Sequence, residues 1–212
     1  TGATDLALML VRGGMRTVQV MDVPKPGSGL EGYDAVVVAL KTRTCPVGEA
    51  VDVSLRSCDA LLALGAKQIL FKYCSTFDSG YRGDVRGNIG PVTEALMQAM
   101  GCDFTIATPA FPDNQRTVFK GHLFVGDVLL SDSGMKDHPL TPMNDANLVT
   151  VLQAQCQRRA KQCTQQAPRR TRHIPPWGRC ASRAWPRARA PACAEGHGRN
   201  TRRSTPRALP GR

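Results

Sequence analysis

The distribution of large apolar residues sets the strongest limit on what this 212-residue chain can fold into. Valine, isoleucine, leucine, methionine and phenylalanine occur throughout residues 1–155, but after Gln155 only Ile174 and Leu209 belong to this set. Ordering the backbone costs about 1–2 kcal/mol per residue, and so few apolar side chains cannot offset that cost by burial. We therefore expect one folded domain over residues 1–155 and a disordered Arg/Pro-rich tail over residues 156–212.

The charge changes at the same boundary. Residues 1–155 contain 13 Lys and Arg against 16 Asp and Glu, a net charge of −3, whereas residues 156–212 contain 15 Lys and Arg against one acid, Glu195, a net charge of +14. The overall charge of +11 therefore describes the tail and not the domain. Because a disordered basic segment attracts phosphates without sequence specificity, non-specific nucleic-acid binding through the tail is an alternative function.

Strand and helix patterns alternate along the first 155 residues. Apolar spacing predicts helices over residues 1–14, 48–66, 91–101 and 145–155, strands over residues 16–21, 34–40, 67–73 and 103–111, and strand or hairpin structure over residues 116–130. This alternation is typical of an α/β domain with a mostly parallel sheet, which predicts a Rossmann-like three-layer fold.

Polar residues follow two of the predicted strands, at the strand ends where α/β sheets bind ligands. Arg43 comes shortly after residues 34–40, and Lys72, Asp78 and Ser79 lie at and beyond the end of residues 67–73. Arginine suits a carboxylate and lysine supplies a point charge for an anion, while aspartate and serine can bind hydroxyl groups. The same residues also fit ordinary hydrated loops, and that interpretation stays open.

The segment GNIGP, at residues 87–91, opens the next predicted helix. Glycine lets the backbone approach a ligand closely, and helix N-termini favour anions, so Asn88 and Gly90 join the candidate binding residues.

Other classes of site receive little support from the sequence. Four cysteines lie singly in apolar segments, which predicts reduced thiols in a cytoplasmic protein: Cys45, Cys58, Cys74 and Cys102. The chain has no GxxxxGK[ST] phosphate loop and no GxSxG motif, and its cysteines and histidines form no close ligand pairs. We therefore predict no metal site and leave the catalytic residues unknown.

Several long motifs resemble a known family. The segments TGATDLALMLVRGGMRTVQV, FKYCSTFDS, GNIGPVTEALM and DFTIATPAFPDNQRTVFKGHLFVGDVLL occur in the order found in the four-carbon acid sugar kinases, and the 3-oxo-tetronate kinases are the subgroup most similar to them. The resemblance covers residues 1–155 and ends near residues 155–159. We interpret the tail as out-of-frame translation of GC-rich DNA.

The resemblance implies an activity and a separate role for each of two domains. Family members use ATP and Mg²⁺ to phosphorylate a terminal hydroxyl of a four-carbon sugar acid, here 3-oxo-tetronate to 3-oxo-tetronate 4-phosphate. Their amino-terminal domain binds the sugar acid, and a carboxyl-terminal domain, which we expect to be absent here, binds the nucleotide. The resemblance also adds Asp5, in TGATD, to the substrate-binding residues. A chain of this kind is expected to be inactive alone, and a standalone sugar-acid-binding protein is a further alternative.

Overall fold

The computed structural model describes residues 2–80 and 87–161. The first helix, α1, spans Gly2–Arg12, with Asp5 in its first turn and Arg12 in its last. An acid near the start and a base near the end of a helix interact favourably with the helix dipole. The helix ends at a glycine pair, in which Gly14 adopts a φ of 88° that disfavours other residues. This helix confirms the first predicted element.

Two parallel strands follow and lie against α1. Strand β1 spans Thr17–Met21 and β2 spans Ala35–Ala39, paired in register from Thr17 opposite Ala35 to Met21 opposite Ala39. The β-branched residues predicted both strands correctly, and the described part of the chain combines helices with one parallel pair of strands.

Two helices that pack against each other come next along the chain. Helix α2 spans Val47–Ala63 and α3 spans Ile89–Ala99, and they contact each other through a buried cluster of Ala50, Cys58, Val92 and Leu96. Ile69 and Phe71 pack against this cluster, so part of the segment over residues 67–73 lies on the pair of helices.

Residues 67–73 and 103–109 are not strands in the structure, which is where the sequence prediction differs most. Both segments have strand-forming sequences, but among the described residues neither pairs with another strand. Strand structure requires hydrogen-bonded neighbours, and apolar sequence alone does not supply them. Leu70, Phe104 and Ile106 are consequently 67%, 72% and 64% exposed.

An antiparallel unit completes the described part. Strands β3, Arg116–Phe119, β4, His122–Val125, and β5, Val128–Leu129, form a three-stranded sheet, and helix α4 spans Leu148–Gln153. One buried cluster joins this sheet, α4 and the loop before α3: Phe77, Ile89, Leu123, Leu130, Met143, Ala146 and Leu148. The loop around Phe77 is therefore fixed from two sides.

Two further sequence predictions concern the cysteines and the tail. Cys45, Cys58 and Cys74 are free thiols as predicted, but Cys102 is disulfide-bonded, so the prediction of a reduced thiol is wrong there. None of the described helices is long and apolar enough to cross a bilayer. Residues 162–212, most of the predicted tail, lie outside the described residues.

Candidate functional site

Arg43 and Asp78, two of the predicted residues, meet in the structure. The chain leaves β2 through Lys41, which adopts a left-handed φ of 55°, and enters a short 3₁₀ turn over Thr42–Thr44. From this turn Arg43 donates through Nη2 to Oδ2 of Asp78, 35 residues further along the chain. The ion pair therefore joins the loop after β2 to the loop before α3.

The Asp78 side chain has no exposed surface. Besides Arg43, it accepts hydrogen bonds from the hydroxyl of Thr76 to Oδ1, at 2.5 Å, and from the hydroxyl of Thr141 to Oδ2. Burial raises the pKa of Asp78, but the hydrogen bonds from Thr141, Thr76, Arg43 and Cys74 outweigh that effect and lower the pKa below its ordinary value. Asp78 is thus a buried carboxylate held in the charged form by surrounding donors.

The backbone beside Asp78 is in an unusual conformation. Phe77 has a φ of 55°, a left-handed value that few residues other than glycine adopt, and its side chain is 1% exposed. Such conformations persist when the surrounding packing dictates them, and they cluster at functional sites. The buried Phe77 side chain therefore fixes the direction in which Asp78 leaves the backbone.

Ser79 and Asn88 connect the two loops. The backbone N–H of Asn88 donates to Oγ of Ser79 at 3.0 Å, and its side-chain Nδ2 donates to the carbonyls of Thr42, at 2.8 Å, and Cys45, at 3.3 Å. The backbone N–H of Gly80 also donates to the carbonyl of Arg43 at 3.0 Å. These bonds place Asn88 beneath the turn that carries Arg43 and hold that turn against the start of α3.

Two glycines permit close approach of the chain at this point. Gly87 has a φ of 80°, and a Cβ there would lie 2.6 Å from Oγ of Ser79. A Cβ on Gly90 would lie 2.6 Å from Cβ of Gln155, and the Gly90 N–H donates to Oε1 of Gln155 at 2.9 Å. The Gly90 N–H that we predicted to meet a ligand is therefore occupied by a protein side chain in this structure.

Lys72 and Asp5 lie apart from the ion pair. Lys72 is exposed and donates to the carbonyl of Tyr73, and its Nζ lies near the start of α1, 3.7 Å from where a Cβ on Gly2 would be. Asp5 is exposed in the first turn of α1. The structure thus brings together Arg43, Asp78, Ser79 and Asn88 but shows no contact from Lys72 or Asp5 to them.

Sequence reasoning missed two buried threonines of the site, Thr76 and Thr141. Thr76 lies two residues before Asp78, a spacing at which a hydroxyl commonly bonds a neighbouring side chain or backbone group, and this was the available signal. Thr141 lies 63 residues from Asp78, and no local pattern indicates the contact. Both residues donate to the carboxylate that the sequence analysis assigned to ligand hydroxyls.

The arrangement suits recognition of an anion by Arg43. The Arg43 side chain is 43% exposed, and only its Nη2 donates to a described residue. A guanidinium carries five N–H donors, and most of those of Arg43 have no acceptor among the described residues and could meet a carboxylate or phosphate. Among the described residues no group of three or more His, Cys, Asp and Glu side chains is placed to hold a metal ion.

Comparison with known families gives a match to the sugar-binding N-terminal domain over residues 1–188. That match extends past residue 155, whereas alignments with curated relatives cover 155 to 160 residues. The domain boundary at residue 155 therefore stays a prediction.

Curated relatives of high identity carry one name. The chain is 61% identical over 155 residues to the 3-oxo-tetronate kinase of Burkholderia multivorans, and 62% identical over 157 residues to that of Pseudomonas fluorescens. Each alignment covers 73% of this chain and 35% of the relative, so the chain spans about a third of the length of the curated relatives it matches.

Solved structures show the same partial coverage. A Haemophilus influenzae protein is 52% identical, with a TM-score of 0.68 over 74% of this chain and 37% of that one. A domain of unknown function from Bordetella bronchiseptica, solved as a domain-swapped dimer with bound citrate, is 27% identical, with a TM-score of 0.57 over 72% of this chain and 38% of that one.

Proposed function

The chain belongs to the sugar-binding N-terminal domain family, and on that premise we propose that it is the sugar-acid-binding domain of an ATP-dependent 3-oxo-tetronate kinase. The parent reaction transfers the γ-phosphoryl group of ATP, with Mg²⁺, to the terminal hydroxyl of the four-carbon acid. The high identity to relatives named 3-oxo-tetronate kinase supports the substrate class. Since the chain spans about a third of those relatives, we propose that it transfers little or no phosphate by itself.

The half-exposed guanidinium of Arg43 is the observation that carries the binding proposal. A sugar acid presents one carboxylate and several hydroxyls, and Arg43, at the end of β2, has N–H donors with no acceptor among the described residues. Phosphoryl transfer needs chiefly positioning and charge neutralisation, which a fixed arginine supplies to the acceptor substrate. Lys72, Asp5, Ser79, Asn88 and Gly90 remain in the proposed binding set, the last three as the frame beside Arg43.

One comparison supports a carboxylate as the recognised group. The Bordetella bronchiseptica relative holds citrate, which is itself a hydroxylated carboxylic acid. The proposal also includes a three-layer, mostly parallel sheet. The exposed Leu70, Phe104 and Ile106 support this part, because a completed sheet would cover such side chains.

Isothermal titration of the 212-residue chain with 3-oxo-tetronate, threonate and erythronate, without nucleotide, tests the proposal. We expect saturable binding of at least one acid, with Arg43→Ala abolishing it. Arg16→Ala is the matched control, because Arg16 also pairs with an aspartate but lies before β1, at the other end of the strands. Absence of binding to all three acids, or equal losses in both variants, would contradict the proposal.

A kinase assay tests the claim of inactivity. With ATP, Mg²⁺ and 3-oxo-tetronate, we expect no phosphorylated product above a chain-free control. Turnover that persists through purification and disappears in Arg43→Ala would show that the chain is a complete catalyst.

Nucleic-acid binding is the second candidate, favoured by the net charge of +14 over residues 156–212. Removing residues 162–212 should abolish retention on DNA and leave acid binding unchanged. Retention that survives the removal, or that resists salt, would point to a specific nucleic-acid site in the domain.

A further inference from the structure

We infer that Asp78 and Thr141 are positioning residues, which hold the Arg43 guanidinium in the orientation that receives an anionic ligand and do not bind the ligand themselves. The inference rests on the proposed function, because it assigns roles within the same sugar-acid site. It reassigns Asp78, which the sequence analysis placed on ligand hydroxyls, and adds Thr141.

The surroundings of Asp78 leave no place for a ligand hydroxyl. Its side chain is 0% exposed, Oδ1 accepts from Thr76, and Oδ2 accepts from both Thr141 and Arg43. A carboxylate has about four acceptor positions, but a ligand reaches them only through accessible surface. Protein donors therefore enclose both Asp78 oxygens.

Arg43, in contrast to Asp78, is accessible to a ligand. Its side chain is 43% exposed, and within the described part of the chain its only side-chain bond is the one from Nη2 to Asp78. A bond at one nitrogen restrains where the guanidinium lies, and its other N–H donors have no acceptor among the described residues. The direction of those donors depends on the position of Asp78 Oδ2.

Thr141 sets that position from a distant part of the chain. It is 3% exposed and donates to the same Oδ2 that accepts from Arg43. Its backbone N–H donates to Nδ1 of His138 at 3.1 Å, and Met143, two residues on, lies in the buried cluster with Phe77. The Thr141 hydroxyl is thus fixed by packing, and it determines which part of Oδ2 remains for Arg43.

Replacement of the Thr141 hydroxyl gives the first test. Thr141→Val keeps the shape of the side chain and removes the donor to a charged acceptor, so we expect the affinity for the best-bound of the three acids to fall about tenfold. Thr141→Ser, which keeps the hydroxyl, should restore most of the affinity. Asp34→Asn is the matched control, since it alters the Arg16–Asp34 pair, and it should leave the affinity unchanged.

A comparison of two ligands separates positioning from direct binding. Asp78→Asn should weaken threonate and the hydroxyl-free acid butyrate, measured by NMR titration, by the same factor, because both would bind through Arg43. If Asp78 bound a hydroxyl directly, Asp78→Asn would weaken threonate alone, and that result would overturn the inference. The same comparison decides the matter should Thr141→Val fail to give a normal melting transition.

The pH profile provides a readout that a loss of folding would not imitate. Loss of the Thr141 hydrogen bond removes one interaction that lowers the pKa of Asp78, so the acid limb of ligand binding should move to higher pH in Thr141→Val. An unchanged limb with unchanged affinity would overturn the inference while wild-type binding preserves the proposed function. Failure of the wild-type chain to bind any acid would instead refute the proposed function, and the inference with it.

Discussion

Two arginine–aspartate pairs lie at opposite ends of β2, and they differ in the exposure of their side chains and in the number of bonds between them. Before the strand, Arg16 contacts Asp34 through two side-chain bonds, Nε to Oδ2 at 3.1 Å and Nη2 to Oδ1 at 2.9 Å, with the two side chains 71% and 43% exposed. Beyond the strand, Arg43 contacts Asp78 through one nitrogen, with exposures of 43% and 0%.

The same two residue types therefore form an exposed pair at one end of the strand and, at the end that we propose to bind the ligand, a pair with a buried acid. The forked Arg16–Asp34 pair satisfies its own charges, and it lowers the pKa of Asp34 to about 2 through the side-chain bond from Arg16. At the other end, the hydroxyls of Thr76 and Thr141 donate to the Asp78 carboxylate. Arg43 is therefore not its sole donor, and it contacts Asp78 through one nitrogen, so its other N–H groups can bind another partner. Burial of the acid distinguishes the end of the strand that we propose to bind the ligand.

Removal of the two acids should show the largest contrast. Asp78→Ala leaves two buried threonine hydroxyls and Arg43 without their acceptor, so we expect a loss of about 2–3 kcal/mol in unfolding free energy. Asp34→Ala should change the midpoint of urea unfolding only slightly, because water replaces the lost contacts. Equal shifts in the two variants would mean that burial does not distinguish the pairs.

The frame around the buried pair is the next most sensitive feature. Gly87→Ala places a Cβ at 2.6 Å from Ser79 Oγ at a φ of 80°, and we expect it to cost about 1–3 kcal/mol through overpacking and backbone strain. Gly14→Ala is the matched control, since Gly14 has a φ of 88° with no heavy atom within 4 Å of its added Cβ. The excess of the first loss over the second, measured by chemical denaturation, isolates the steric contacts with Ser79 and Gln155.

Acid titration should separate the pairs by a smaller amount. The folded-state pKa of Asp78 is lowered, so its contribution to stability is present above the unfolded-state pKa of about 3.9 and is lost as the pH falls through the folded-state value. Asp78→Asn should therefore flatten the decline of the melting temperature below about pH 4. Asp34→Asn should flatten it less, because solvent screens an exposed pair, and the reverse order would contradict the assignment.

Salt should give the smallest contrast. At an ionic strength of about 1 M the screening length is about 3 Å, so the exposed Arg16–Asp34 pair should lose its effect on stability. The difference in melting temperature between wild type and Asp34→Asn should vanish, while that between wild type and Asp78→Asn should persist. Persistence of both differences would indicate that Arg16 and Asp34 are less hydrated than their exposure suggests.

Local sequence predicted several helices and strands correctly. The apolar runs at residues 16–21 and 34–40 became β1 and β2, and the glycine after the first helical pattern ended α1 as expected. The runs at residues 67–73 and 103–109 have equally apolar sequences but no strand partner among the described residues. A strand depends on its neighbours, so the sequence of one segment cannot establish it.

The candidate site was predictable to the extent that its residues share two loops. Arg43, Asp78, Ser79 and Asn88 were selected because they follow predicted strands or open a helix, and the structure brings these four together. Thr141 was not selected, because its contact with Asp78 depends on how residues 133–147 pack against the buried cluster around Phe77.

The contact between Gln155 and α3 has a practical consequence for shortening the chain. Gln155 covers the first turn of α3 through the Gly90 N–H, and the backbone N–H of Arg158 donates to Glu94 on the same helix. A truncation after Gln155 would remove the Arg158 contact with Glu94. It would also leave the helix that supports the Arg43 turn more exposed. Fragments intended for crystallisation or ligand screening should therefore end after residue 161, six residues beyond the compositional border.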